Sequence, residues 1–509
     1  MSLKKLGGET IIYGLANILP RLLTFVLVTP FLTRAMVSED YGVVGVLFMY
    51  IGLLTALLVF RMDTVVFRFA SRAEHDARAV FVRAQTFVVA VVIVVVGLGL
   101  LLSNQVADWI HYPDRPSYVV VFLLAVAFDC LSAVPLARLR LERRAWLFVA
   151  VNLGATLLSL ALLYLLLDFW PDWGTLLGLV YDPNYQVTYY LATIAIPAAL
   201  RYLVLLLDGL YRYRLRPAKR LGNELLAKDN AGHAPVLRRM LIYSAPLTLV
   251  GVAGIFNALS GPYIIQEFMG GTTTENLYWS GQFSAALKLA VILNLFVTAF
   301  NYAAEPFFFR QAGNDLDKAD KQIFADATRA YALVGVLACA GIMIFLPWLK
   351  VFIGDDLQEG LVVLPFLLAG NFCFGLYSNF SIAYKLTDKT YLGGAIALAG
   401  SLVCAGVGIF FIGAYGIIAP AAAMFACYLL MCALAWGVTW RYFPVAYPIG
   451  RIVVYVMVSC AVVYGALSQV QGFVGRIAVF LGLLAILGWL EKNWLRSVLR
   501  RKQPTNPAQ

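Results

Sequence analysis

Charge is what this chain has least of: of its 509 residues only 13% are Asp, Glu, Lys or Arg, while 61% are hydrophobic. With a mean hydropathy of +0.81, that is the composition of a polytopic membrane protein and not of a soluble domain. Histidine is nearly missing. The three present, His75, His111 and His233, are far apart in loops, so no metal centre is expected. The seven cysteines all lie inside apolar runs and form no Cys-x-x-Cys pair, which excludes a disulfide framework and a zinc site as organising principles. No glycine-rich segment ends in Lys-Ser or Lys-Thr and no hydrophilic stretch could fold as a separate domain, so this chain alone is not an ATP-driven pump. The first ten residues carry no small-residue cleavage site before a long apolar run, and the first span is therefore expected to stay as a membrane helix.

What is present is a series of apolar runs. Fourteen are long enough to cross as helices, near 11–33, 42–67, 79–102, 117–137, 145–167, 187–208, 241–265, 278–303, 328–349, 361–384, 391–413, 416–439, 450–468 and 473–490. The net charge of +11 is not spread evenly. Alternate loops are basic: Lys4 and Lys5; Arg72 and Arg78; Arg138, Arg140, Arg143 and Arg144; the run from Arg212 to Arg239; Arg310 to Lys321; Lys385 and Lys389; Arg441 and Arg451; and the tail from Lys492 to Lys502. The intervening loops hold only Arg34, Arg115 and Lys350, with Glu39, Asp40, Asp108, Asp168, Asp355 and Asp356 on that side. One span more or fewer would reverse every later loop, so this alternation predicts an N-in, C-in topology. The basic run is then a topology signal facing lipid headgroups, and no nucleic-acid partner is expected. The fold class is an all-α polytopic membrane protein with two six-helix bundles, 1–208 and 241–440. They are joined by a basic cytoplasmic linker, 209–240, and followed by two helices and a tail, 441–509.

Charges inside the spans are costly, at least about 2.5–3.5 kcal/mol for an arginine at mid-depth, and should face protein or water. Arg21 is near the middle of the first span beside Pro20, and Tyr13, Asn17, Arg21 and Thr24 share one helix face by their spacing. A fixed positive charge in a polar stripe suits an anionic ligand. Arg61 either faces a cavity, snorkels, or pairs with Asp63. Lys288 follows Gly281, Ser284 and Ala285 on one face, small residues that leave room for a ligand or for close helix packing. Arg83 and Arg476 are near helix ends, where snorkelling is the simpler reading. Arg201 and Asp208 are two turns apart on one face. Asp129 is the best lone carboxylate for a proton or cation step, with an interhelical hydrogen bond as its structural alternative.

Polar stripes at helical spacing add Asn294, Thr298, Asn301 and Glu305; Asn371, Gly375 and Ser378; and Thr248, Gly251, Gly254 and Asn257. They line a hydrated path or serve interhelical hydrogen bonds. Pro20, Pro30, Pro246, Pro262 and Pro365 supply bend points.

The segment Phe31-Leu-Thr-Arg-Ala-Met-Val-Ser-Glu-Asp-Tyr-Gly42 resembles the first outside turn of the polysaccharide-transporter family. Arg61-Met-Asp-Thr-Val-Val-Phe-Arg68 resembles that family's second-helix ending, and Leu277-Tyr-Trp-Ser-Gly-Gln282 followed by Lys288 its seventh-to-eighth helix junction. Fourteen spans grouped six, six and two match its whole length. This is the lipid-linked oligosaccharide flippase (Wzx-type) branch of the multidrug/oligosaccharidyl-lipid/polysaccharide (MOP) exporter superfamily. The resemblance implies a pair of six-helix bundles around a cationic cavity in the bacterial plasma membrane. It also implies a polyprenyl-diphosphate-linked glycan as substrate, with Arg21, Arg61 and Lys288 meeting the diphosphate. One departure is Ser260-Gly261-Pro262-Tyr263, where many relatives carry a charged residue late in span seven.

Alternating access is the expected mechanism, with no cofactor. Asn17 and Thr24 join the three cations in substrate binding, and a coupling cation, proton or sodium, would act at Asp63, Asp129 or Glu305. Polymerase or other assembly proteins are the expected partners besides membrane lipids. A drug/cation antiporter of the same superfamily is the nearest rival, but it would want buried carboxylates where this chain has cations. A membrane glycosyltransferase using Glu39 and Asp40 is the rival among enzymes, and its outside loop is too short for an acceptor site.

Overall fold

The computed structural model describes residues 18–70, 77–174, 181–215, 236–312, 320–387 and 389–501. Asn17 and the 216–235 part of the basic linker lie outside these residues. Glu305 is on a described helix, but its side chain is outside the description. Among the described residues all regular structure is helical. Fourteen helices among the described residues are long and apolar enough to cross a membrane, the number expected from the apolar runs. In chain order they are α1 (Ile18–Ala35), α2 (Ser38–Ala70), α3 (Ala77–Leu101), α4 (Pro116–Leu141), α5 (Ala145–Phe169), α6 (Pro183–Arg212), α7 (Val236–Phe268), α8 (Thr273–Asn301), α9 (Lys321–Ile344), α10 (Asp355–Leu386), α11 (Thr390–Tyr415), α12 (Ile418–Tyr442), α13 (Ile449–Ala466) and α14 (Phe473–Leu490). A short helix, α15 (Lys492–Arg501), follows.

The helices cluster into two compact units. The first comprises Met1–Lys288, Phe352–Leu364 and Thr390–Cys427. The second comprises Leu289–Val351, Pro365–Lys389 and Tyr428–Gln509. In the first unit α6 packs along α4, and α7 lies between α11 and α2. In the second, α9 packs on α13 and α14.

Two features brace the first unit at its ends. At the acidic end, α8 crosses α2 so closely that a Cβ on Gly281 would overlap the Ser38 carbonyl oxygen, and one on Gly42 the carbonyl of Leu277. Gly354 and Gly360 press in the same way on the carbonyls of Thr33 and Gln282. The fully buried Gln282 side chain ties this seam: its amide nitrogen donates to the Asp356 carbonyl and, at 3.3 Å, to Ser38 Oγ, while its oxygen accepts from the Gly360 N–H at 2.8 Å. Every polar atom of the amide is thus satisfied away from water, where an unmade bond would cost about 1–3 kcal/mol.

At the basic end, Asp208 of α6 is a hub. It accepts from Arg138 Nη2 of α4 at 2.7 Å and from both Nη atoms of Arg144 at 2.7 and 2.8 Å, with Arg212 Nε 3.6 Å away. Arg138 also stacks over Phe81 of α3, 5.2 Å from the ring centre.

In the second unit Arg476 does not snorkel. It is buried, donating to the carbonyls of Ile344 at 2.7 Å and Val470 at 2.9 Å. The polar stripes of α8 and α10 meet there as an interhelical hydrogen bond, Asn294 Nδ2 to Asn371 Oδ1 at 3.2 Å.

Candidate functional site

The intramembrane charges of the first unit sort into three places. The first is a cavity of about 310 Å³ inside the bundle, lined by Arg21 and Thr24 of α1, Asp129 of α4, Asn152 and Ser159 of α5 and Arg201 of α6. Its shape follows from the backbone. Proline at position 20 removes a donor from α1, and the next residues, Thr24–Val28, form a π-helical turn that packs against α5. Thr24 Oγ1 donates back to the Pro20 carbonyl at 2.9 Å, so its proton is already used. Asn152 Nδ2 donates to the Phe148 carbonyl at 2.9 Å, and Thr156 Oγ1 to the Asn152 carbonyl at 3.0 Å.

Asp129 is not alone in this cavity. It forms an ion pair with Arg201, through Arg201 Nη2 and Asp129 Oδ1. Arg201 and Asp208, two turns apart on one face of α6, do not share a partner: Arg201 pairs with Asp129, and Asp208 with Arg138 and Arg144. The signal for the true pairing is depth, not helix face. Asp129 is twelve residues before the end of α4 at Leu141, and Arg201 eleven before the end of α6 at Arg212. The two helices run parallel, with Arg138 and Asp208 paired near their C-terminal ends, so such positions are level.

The second place is a break in α2. Phe60 and Arg61 adopt left-handed backbone, φ 50° and 53°, between helical segments Ser38–Val59 and Met62–Ala70. Neither residue is glycine, and left-handed L-residues cost roughly 1–2 kcal/mol each. The break turns the Arg61 guanidinium onto α7 at Gly251, where an added Cβ would sit 2.9 Å from Nε and 3.0 Å from Nη2. Gly251, read in the sequence as part of a polar stripe, is space for Arg61. Among the described residues Arg61 makes no ion pair with Asp63, whose carboxylate accepts a long bond from Thr64 Oγ1 at 3.5 Å. Since the guanidinium is the far end of a flexible chain, Gly251→Val is expected to swing it aside at a folding cost of about 1 kcal/mol or less. A thermal midpoint that instead drops as for an overpacked core would show the contact to be rigid.

The third place holds Lys288. Its Nζ lies over the Phe48 ring of α2, 5.2 Å from the centre. The small residues before it serve helix packing: a Cβ on Gly45 would overlap Ser284 Oγ, and Ala285 is fully buried. Thirteen residues separate Phe48 from Arg61 on α2, so Lys288 and Arg61 are about 20 Å apart along that helix. Neither lines the Arg21 cavity. In this conformation the three cations are not gathered at one point, and among the described residues none of them forms an ion pair.

No family model matches the sequence, and no curated protein matches it. Solved structures do. The lipid II flippase MurJ, in an inward closed conformation, superposes with a TM-score of 0.71 at 12% identity, covering 95% of this chain and 100% of that one. The chain shares that protein's fold. A multidrug resistance MATE transporter of the MOP superfamily, inward-facing, gives a TM-score of 0.56 at 12% identity, over 89% of this chain and 100% of its own. A MATE transporter in a bent conformation gives 0.54 at 13%, over 85% and 93%. At such identities the likeness is one of fold, and function has to be argued from the site.

Proposed function

We propose that this protein is a flippase that moves a polyprenyl-diphosphate-linked oligosaccharide from the cytoplasmic to the outer leaflet of a bacterial plasma membrane by alternating access. The observation that carries the reading is the charge state of the first unit. Arg21, Arg61 and Lys288 stand within the spans with no carboxylate of their own, and basic groups kept at mid-depth without partners suit an anionic headgroup. MurJ is a lipid II flippase, and the superposition extends over the whole of that chain, which supports the same class of cargo. On this reading the basic end of the bundle is cytoplasmic. The halves rock about the bound diphosphate, and the polyprenyl tail stays in lipid. Asp63, Asp129 and Glu305 are where a coupling proton or sodium ion would act, and a polymerase or other assembly protein would receive the glycan.

A MATE-like antiporter for organic cations is the second reading, favoured by the likeness to MATE transporters. It needs a free buried carboxylate, whereas Asp129 is held by Arg201.

Mass spectrometry of lipids that co-purify with the protein tests the proposal. The wild type is expected to carry a polyprenyl-diphosphate glycan. Each lost charge-assisted contact is worth about 1.5–3 kcal/mol, so Arg21→Ala should retain roughly ten- to a hundred-fold less. The Arg21→Ala, Lys288→Ala double variant should carry none. Absence of such a lipid from the wild type, in cells that accumulate it, would turn the assignment to the antiporter.

A further inference from the structure

The geometry points to the α1–α4–α5–α6 cavity as a binding site for one phosphate or diphosphate group, in which Arg201 is a second ligand beside Arg21 and Asp129 is a built-in stand-in for the anion. This rests on the flippase reading only for the choice of diphosphate as the natural occupant.

The argument begins with a charge count. Two guanidinium groups and one carboxylate line the cavity, a net charge of +1 at mid-depth. The single carboxylate is on Arg201, and among the described residues Arg21 has no ion-pair partner. Arg21 is exposed, and a charge within a membrane span needs water or an anion to offset it.

The donors point the same way. Arg201 uses Nη2 on Asp129, while its Nε is buried without any hydrogen-bond partner. Its side chain is 18% exposed through atoms other than Nε, so part of the guanidinium still faces the cavity that the residue lines. A guanidinium offers paired N–H groups that match two oxygens of a phosphate, and here Nη2 is the part already used on Asp129. Ser159 adds a hydroxyl to the wall. The volume, about 310 Å³, is roughly that of ten water molecules, which admits a diphosphate.

Asp129 then has a definite part. It occupies the guanidinium edge that an arriving oxyanion would take, so binding is a replacement of one anion by another on Arg201. A purely structural ion pair predicts the opposite behaviour when Asp129 is neutralised.

The experiment uses inorganic pyrophosphate and purified full-length protein in phosphatidylcholine nanodiscs, with affinity read by calorimetry and integrity by thermal midpoint. Wild type is expected to bind. Arg21→Gln and Arg201→Gln should each lose about tenfold or more, equivalent to one charge-assisted contact. Asp129→Asn should gain about tenfold, because it frees Arg201. That gain should vanish in the Asp129→Asn, Arg201→Gln double variant. A gain cannot come from misfolding, so the test survives a variant that folds poorly. Arg115→Gln should bind pyrophosphate as the wild type does, since Arg115 stacks over Tyr185 and does not line the cavity.

Loss of affinity in Asp129→Asn would make the ion pair structural and overturn the proposal. So would a loss in Arg115→Gln equal to that in Arg21→Gln, which would mean a response to positive charge at large and not to this cavity. A second series adds phosphatidylglycerol to the nanodiscs without pyrophosphate. If it raises the thermal midpoint in a manner that depends on Arg21 and Arg201 while pyrophosphate does nothing, the occupant is a lipid headgroup and the diphosphate assignment falls. No response to either probe would also sink it. The flippase reading fails separately, by absence of the glycan lipid from the purified protein.

Discussion

Asp208→Asn is expected to lower the stability of the protein by about 3–5 kcal/mol, the range found when one partner of a buried ion network is removed and the rest stay. Asp208 is 14% exposed and serves Arg138 and Arg144 at 2.7–2.8 Å. Without its charge, those arginines and Arg212 are left with Glu142 alone, at 3.4–3.7 Å. Arg138 cannot turn to water, being packed over Phe81 and only 8% exposed. The loss should appear as a fall in thermal midpoint of the detergent-solubilised protein and in the amount recovered from membranes. Joint replacement, Asp208→Leu with Arg138→Leu, should regain part of the loss, because apolar residues of similar volume carry no desolvation penalty. A single variant with the wild-type midpoint would mean the cluster is solvated and of little weight.

The second large effect belongs to Gly281→Ala. A methyl group there meets the carbonyl oxygen of Ser38 and comes within 3.1 Å of the Gly42 nitrogen, all main-chain atoms that have no rotamer to yield. The helices must part, and overpacking of this kind costs about 1–3 kcal/mol or more. Separation also pulls on the three bonds of Gln282, so the seam loses its tie along with its fit. Gly406→Ala in α11 is the matched control, since nothing lies within 4 Å of the added atom. It should be neutral or stabilising by up to about 1 kcal/mol. Comparable midpoints for the two variants would show that α2 and α8 are free to shift. With export as the readout, Gly281→Ala should be inactive even where it is still made.

Much of the architecture was legible because long apolar runs are unambiguous. Fourteen spans were expected and fourteen helices of the required length are found. Less of the site was. The break at Phe60 and Arg61 has no proline or glycine to announce it, and left-handed backbone at two ordinary residues runs against local preference. The partner of Arg201 was missed because sequence spacing relates residues on one helix and is silent between helices. Asp208 is nearer in sequence, but Asp129 is level with Arg201 on α4. The small residues before Lys288 allowed two readings, ligand space or close packing. Only the position of α2 decides for packing.

The seam at the acidic end bears on how much of the sequence the fold depends on. Gly42, Gly281, Gly354 and Gly360 each touch a carbonyl of the facing segment. Contacts of this kind are written in main-chain atoms, which every residue shares, and they fix a few positions as small while leaving their neighbours free. Most side chains along such a seam can be exchanged and its outline kept, so the outline is held by far fewer letters than the chain has.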